Sequence, residues 1–554
     1  MGYDSIIDRL GSFGLFQKRL FVLFFLNGIP NGLLITAIVF LHFVPTHRCK
    51  LPFYERQYNQ NVFNDSKNNP EYNMDRVRQF VSVTTQMNGC GFRNLSTMQI
   101  NQLLVDDVAC YEGYDYVSDT GIESAMMEFD VVCGDAWKKP MISSLYLVGM
   151  TVGTLSGIIS DKLGRRPVFL ASTLLQFLTV FCTSFAPTLT TYCILLAICG
   201  LSHLINYLSA FVIGAEFTTP NRRNLISISS FISFSVGYMI GPLAAYFVPN
   251  WRWLMRLHGL IGILYIPMYW LIPESPRWLL SHGKREEAMT ILGEVARING
   301  FIIAALIFGE ELDVTKDEVT EKGLLFHVLT VIRNSRTLIM VLIISVAIVI
   351  VYFGISLSVD TLSGNIFINC FLMGLIEIPG LIAAFMGVKY CSRSYAHSGF
   401  MFLSGFACLL AALLKNVHPI ATLMFALIGK TANAGVFYIV YVHTAEIVPT
   451  NVRNVYMCAG SFAGRVGSIL APYFGYAGKF EIFGFFAPYL TLSVVVMTSA
   501  LMTLLFLPDT HLKRLPESVE EVLKMKSLIS RCCSTQSTED VQSPRRDTVK
   551  TQEI

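Results

Sequence analysis

The sequence predicts an all-α polytopic membrane protein whose twelve transmembrane helices form two six-helix halves. Three observations carry this: apolar blocks of spanning length, a charge content too low for a soluble chain, and an echo between the halves. Of 554 residues, 53% are hydrophobic and 15% charged, against about 25% charged in soluble domains. A helix needs about 20 apolar residues to cross the hydrocarbon. Blocks of that size fall at 20–42, 140–160, 168–187, 192–215, 226–248, 252–272, 337–357, 365–388, 397–415, 420–443, 455–478 and 486–507. The blocks around Lys430 and Arg465 are the least apolar. Buried helices of a large soluble protein rarely repeat at this length with so few charges between them. The net charge of +3 gives no support to a nucleic-acid partner. Zinc-spaced Cys and His, phosphate-cradling Gly loops and a defensible Ser-His-Asp pattern are all missing from the sequence, which argues against an enzyme.

The first block is too long for a signal peptide and contains Asn27, Pro30 and Asn31, with Lys18 and Arg19 just before it. The chain divides into a cytoplasmic tail (1–19), the first span (20–42), a large loop (43–139), spans two to six (140–272), a central cytoplasmic region (273–336), spans seven to twelve (337–507) and a cytoplasmic tail (508–554). The large loop carries Cys49, Cys90, Cys110 and Cys133, enough for two disulfides in an oxidising compartment, with three pairings open. It also carries glycosylation acceptor patterns at Asn64 and Asn94. Both features make this loop extracellular or lumenal. The short turns on the other side are basic, with Lys162, Arg165 and Arg166, then Arg222 and Arg223, then Lys389 and Arg393. Such turns stay cytoplasmic, so both termini are expected there. In the central region, Lys284, Arg285, Glu286 and Glu287 suggest short surface helices. The polar tail ends Thr551-Gln552-Glu553-Ile554. Its last residue suits a scaffold-protein groove, but Ser or Thr is missing two positions before it.

The two halves echo each other. GAEFTTPNRRN (214–224) and TAEIVPTNVRN (444–454) align Glu216 with Glu446 and Arg223 with Arg453, both at a spacing of 230. Pro273-Glu274 after the sixth span matches Pro508-Asp509 after the twelfth. Two related six-span halves suit a carrier whose halves rock about a central site. Gly153, Gly157 and Asp161 lie four apart on one helix face, where small residues let helices approach. Gly164, Arg165 and Arg166 follow in a tight basic turn. Asp161, Arg165, Arg166, Glu216, Arg223, Glu446 and Arg453 form the expected gating set. The matching second-half turn keeps Lys389 and Arg393 but loses the Asp and the paired Arg. A latch stronger in the first half is therefore expected.

The Gly153–Arg166 motif resembles the signature of the major facilitator superfamily. Pro273–Leu279 (PESPRWL), Asn365–Pro379 (NIFINCFLMGLIEIP), Tyr441–Asn454 (YVHTAEIVPTNVRN) and the cysteine-bearing loop resemble its organic cation, anion and zwitterion branch. Asn206–Gly214 and Arg465–Phe474 look nearest to the novel organic cation/carnitine transporters. The resemblance implies the major facilitator fold, a monomeric transport unit in a lipid bilayer at the plasma membrane, and a carnitine-type zwitterion or organic cation as substrate. It also implies sodium as a coupling ion, with Asn31 at the matching place. Carnitine-type relatives have Gln where His203 stands and a longer Tyr-rich stretch where His443 and Val448 stand, which leaves the exact substrate open.

Ionisable residues inside spans are costly and usually functional. Arg465 suits a bidentate carboxylate contact, or else a structural pair with Glu446 or Glu377. Glu377 is either a cation, proton or ammonium site, or a partner for Lys430. Lys430 is a ligand contact or half of an ion pair. Tyr207, Tyr352 and Tyr441 can offer an aromatic wall to a quaternary ammonium, or simply pack. His203 shares a face with Tyr207 and is either a proton-linked group or a hydrogen-bonded helix contact, with Asn206 adjacent. Asn31 sits beside Pro30, where a broken helix would expose carbonyls to an ion. An organic-anion exchanger is the alternative that Arg465 and Lys430 permit.

Overall fold

The computed structural model describes residues 3–49 apart from 12, short strand segments at 85–88, 91–94, 107–108 and 113–117, then 120–300, 336–448 apart from 416, 453–477, 487–511, 516 and 521–522. Among the described residues, eleven helices are long and apolar enough to cross a membrane. The expected eleventh span is a further helix, Arg453–Ala477, whose apolar character is diluted by Arg465 and by glycines and serines.

In the first half, the first span is Leu15–Leu41 and the second is Lys138–Gly153 continued by Ser156–Leu163. The third, fourth and fifth are Arg165–Thr183, Leu189–Glu216 and Pro220–Phe247. The sixth, Trp251–Ile261, passes through a 3-10 turn to Met268–Leu271. In the second half, the seventh is Arg336–Leu357, and the eighth is Ile366–Leu375 continued by Glu377–Tyr390. The ninth, tenth and twelfth are Arg393–Leu414, Pro419–Ile447 and Ala487–Phe506.

The first span corrects the expected break at Pro30, because its helix runs through the proline. Pro30 has no N–H to give the carbonyl one turn before it. The Tyr265 hydroxyl fills that vacancy by donating to the Leu26 carbonyl at 2.7 Å. Asn31 therefore has no exposed carbonyls beside it.

The spans pack in a repeated pattern. The first lies against the fifth and the third against the fourth in one half, and the seventh against the eleventh and the ninth against the tenth in the other. The halves meet where the second span touches the eleventh and the fifth touches the eighth. These two contacts exchange under the repeat. A Cβ on Gly149 would collide with the Ala197 carbonyl, and one on Gly200 with the Tyr146 carbonyl. That closeness seats the second span against the fourth.

The helices Pro276–Ser281 and Arg285–Asn299 occupy the central region. Leu292, Val295 and Ala296 are buried with Ile6 and Ile7 of the amino-terminal helix Tyr3–Arg9. Asn299 ties the pieces together by donating to the Leu10 carbonyl at 2.8 Å and accepting from the Phe16 N–H at 2.9 Å. In the large loop, strand Thr46–Cys49 pairs antiparallel with Tyr114–Val117, and Glu128 anchors the loop by accepting from the Arg252 guanidinium (2.5 Å) and the Trp251 indole (2.8 Å). Cys133 is disulfide-bonded. Cys90, Cys110 and Asn64 lie outside the described residues, and Cys49 and Asn94 are described in backbone alone.

Candidate functional site

Arg465 sits midway along the eleventh span, between Gly464 and Gly467, which let that helix press against Val349 and Val346 of the seventh. It lines a cleft of about 410 Å³, counting the part open to solvent, together with Ser345, Phe437, Tyr441, Thr444 and Ser461. Among the described residues lining this cleft, Arg465 is the one charged side chain. Its guanidinium lies 5.8 Å from the centre of the Phe353 ring and makes no ion pair with a described residue. The alternative pairings with Glu446 and Glu377 do not form, because those carboxylates are held elsewhere.

An aromatic wall continues from Arg465. The Tyr441 ring lies tilted 5.9 Å from that of Phe437, and Phe231 of the fifth span reaches 6.3 Å from Tyr441. Tyr207 lies edge-on to Phe234 at 6.4 Å. Sequence reasoning missed Phe231 and Phe437. The available signal was Phe437 one helical turn before Tyr441, and Phe231 and Phe234 on one face of the fifth span.

The other intramembrane candidates are not among the residues that line this cleft, although the Tyr352 ring lies 5.2 Å from that of Phe437. Lys430 and Glu377 pair with each other at 2.9 Å, almost wholly buried at 0% and 3% side-chain exposure. Tyr352 donates its hydroxyl to Glu377 at 2.8 Å and places its ring 3.4 Å under the Lys430 ammonium. The Ser235 hydroxyl, from the first half, donates to the same carboxylate at 2.7 Å. Of the readings open for Glu377 and Lys430, the structure therefore forms the internal pair. His203 is bonded through Nδ1 to the Tyr146 hydroxyl at 2.6 Å. Asn206 belongs to a buried amide cluster: Asn27 and Asn31 donate to its Oδ1 at 2.9 and 3.1 Å, while it donates to Thr173 at 2.6 Å. The Asn31 Oδ1 accepts from Gln176 at 3.0 Å.

At the face bearing the basic turns, each half closes a charge cluster. In the first, Arg165 pairs with Asp161 and reaches Glu216 at 3.5 Å, and Glu274 accepts from the Arg165 and Arg166 backbone N–H groups at 3.0 and 3.2 Å. The Arg166 side chain donates to the Tyr269 carbonyl at 2.7 Å. In the second, Arg393 pairs with Glu446 at 3.1 Å, and Asp509 accepts from the Arg393 N–H at 3.0 Å. Arg393 also meets His511 at 3.2 Å, and Thr510 donates to Glu446 at 2.5 Å. Both Glu274 and Asp509 cap the first turn of a spanning helix, where a carboxylate is favoured. The two clusters match in part: Arg393 takes the place of Arg165 and Asp509 that of Glu274, while the Lys389–Arg393 turn keeps no counterpart of Asp161. The Arg223 and Arg453 side chains lie outside what is described.

Opposite, on the face of the large loop, the halves touch directly. Lys139 pairs with Asp360 at 2.6 Å, Ser144 donates to the Ile469 carbonyl at 2.7 Å, and Phe40 stacks on Phe367 at 5.3 Å. The charge clusters of the basic face stay within their own halves, whereas these loop-face contacts cross between them.

Two repeat-related six-helix halves that touch at the loop face, with a cleft among the seventh, tenth and eleventh spans that holds Arg465, are the architecture of a membrane transporter. Comparison supports the class. The Major Facilitator Superfamily model matches residues 119–472. The fold is shared with the xylose transporter XylE of E. coli in a partially occluded inward open conformation, at a TM-score of 0.58 and 15% identity, covering 90% of this chain and 100% of that one. Organic cation/carnitine transporter 2 of Mus musculus is 32% identical over 95% of both chains. Solute carrier family 22 member 21 of Mus musculus is 33% identical over 96% of this chain and 95% of that one. The chain belongs to the organic cation/carnitine transporter family, solute carrier family 22, within the major facilitator superfamily.

Proposed function

We propose that the protein is a plasma-membrane carrier of small organic zwitterions and cations, with carnitine-type quaternary ammonium compounds first among them. The observation that carries this reading is the Arg465 guanidinium, free of ion pairs among the described residues and set in a cleft beside Tyr441 and Phe437. A guanidinium holds a carboxylate through two parallel hydrogen bonds. Ring faces attract a trimethylammonium without any carboxylate. The two ends of a zwitterion thus find separate partners. Both termini are taken as cytoplasmic and the large loop as extracellular, following the basic turns and the loop cysteines.

Sodium is proposed as the coupling ion near Asn31. The Asn27, Asn31, Asn206 and Thr173 side chains bring hard oxygen donors together, the type a small cation takes. Each is engaged in the amide cluster, so binding requires amide groups to turn. A scaffold-protein contact at the carboxyl terminus is a further, separate proposal resting on Ile554 alone.

The test is uptake of labelled carnitine and tetraethylammonium, with and without sodium, in the native protein and Arg465→Ala. Carnitine uptake should fall sharply in the variant while tetraethylammonium is less affected. Unchanged carnitine uptake would sink the reading. One observation favours a second reading: with Glu377 neutralised by Lys430, the charge lining the cleft is positive. An organic-anion exchanger fits that field, and strong inhibition by dicarboxylates would select it.

A further inference from the structure

We propose that Lys430 is a tethered cation filling a cation cage built by Glu377, Ser356 and Tyr352. On this view the carrier binds no free cation at Glu377. The inference rests on the carrier reading and sharpens its specificity, since it leaves a substrate's ammonium to the aromatic side of the cleft.

The cage has the parts that recognise a small ammonium. One Glu377 oxygen lies 2.9 Å from the Lys430 Nζ, and the Ser356 hydroxyl lies 2.5 Å from it. The Tyr352 ring sits 3.4 Å beneath, and the Tyr238 ring 5.7 Å away on another side. The carboxylate is fixed by two further donors, the Tyr352 hydroxyl on one oxygen and the Ser235 hydroxyl on the other. A carboxylate, a hydroxyl and aromatic faces are what a free ammonium requires. Here the tenth span delivers that ammonium on its own side chain. The cage also reaches across the half-boundary, because Ser235 and Tyr238 come from the fifth span and the other groups from the second half. It is a site separate from the cleft of Arg465.

Lys430→Ala removes the equivalent of one propylammonium ion and leaves Glu377 buried without its counter-charge. Breaking a buried pair this way shifts folding equilibria by about a hundredfold or more. The experiment measures thermal unfolding of the purified full chain, solubilised throughout in propylammonium chloride, sodium chloride or neutral propanol. The K430A protein should be recovered by propylammonium in a saturable manner and not by propanol. The sodium arm shows whether the cage accepts an inorganic ion as well as an ammonium; recovery in either salt supports the proposal. In K430A/E377Q the charge requirement is gone, so the salts should have no specific effect. Equal recovery in propanol would mean that the cage needs only filling, and would overturn the proposal. So would recovery in no medium, or native stability without any response. The readout needs no substrate, so it can fail while the Arg465 assay succeeds, and the reverse.

Discussion

Breaking the Lys139–Asp360 bridge should open the large-loop face. At 2.6 Å and an effective dielectric near 20, the gross attraction is about 6 kcal/mol. Side-chain exposures of 27% and 18% mean that desolvation and screening remove most of it. The net value falls between an exposed pair, at most ~1 kcal/mol, and a buried one broken on one side, ~3–5 kcal/mol. About 1–2 kcal/mol, or about 5–30-fold in the balance between open and closed forms, is the working figure. The bridge is well placed to act. Ser143 donates to the Lys139 carbonyl at 3.2 Å, and His42 joins Ser143 at 2.7 Å to Tyr192 at 3.1 Å. Lys139 is thereby fixed to the first and fourth spans, so it moves with its half. The assay is labelling of Ile38→Cys, buried between the halves beneath the bridge, by a membrane-impermeant thiol reagent from the loop side. Lys139→Ala should raise the labelling rate about 5–30-fold. The charge exchange Lys139→Asp with Asp360→Lys should return it toward the native rate. An unchanged rate in Lys139→Ala, or an exchange as fast as the single variant, would refute the bridge as a gate.

Three further outcomes are expected. Gly164 has φ +107°, and a Cβ there would stand 2.6 Å from a Glu274 oxygen, so Gly164→Ala should cost roughly 2 kcal/mol or more in thermal unfolding. Arg165→Ala and Arg393→Ala should both reduce flux, since each removes the cation of its cluster; a larger loss in Arg165→Ala would fit a latch stronger in the first half. Hydrogen bonding from Arg252 holds the Glu128 carboxyl below its ordinary value of 4.5. The pair's contribution is therefore present above that value and is lost as pH falls through the lower folded-state pKa, so native protein and Glu128→Gln should differ in thermal stability near neutrality and converge in acid.

What could be seen in the sequence followed from local chemistry. Spanning blocks, the basic turns and the aligned Glu216 and Glu446 are properties of neighbouring residues, and Glu274 and Asp509 were visible as a matching pair. What each residue touches was not. Arg393 finds Glu446 at a separation of 53 residues, and its backbone N–H is capped by Asp509, 116 residues away beyond the twelfth span. Pro30 should have broken its helix by local rules, yet a hydroxyl 239 residues away satisfies the freed carbonyl. The readings of Glu377 and Lys430 stayed open because the same two residues serve a substrate or each other, and spacing alone does not choose.

The repeat makes the two half-boundaries equivalent in position, but not in chemistry. Where the second span meets the eleventh, a serine hydroxyl donates to a backbone carbonyl. Where the fifth meets the eighth, a serine hydroxyl donates to a buried carboxylate that is already held by a lysine and a tyrosine. A hydrogen bond to a charged group is worth about 1.5–3 kcal/mol against about 1 for a neutral one. Rocking that parts both contacts equally therefore meets unequal resistance. The second–eleventh boundary, which carries Arg465, should yield first. Substrate held at Arg465 draws on the weaker boundary, while the caged pair of Lys430 and Glu377 keeps the other boundary in register as the halves turn.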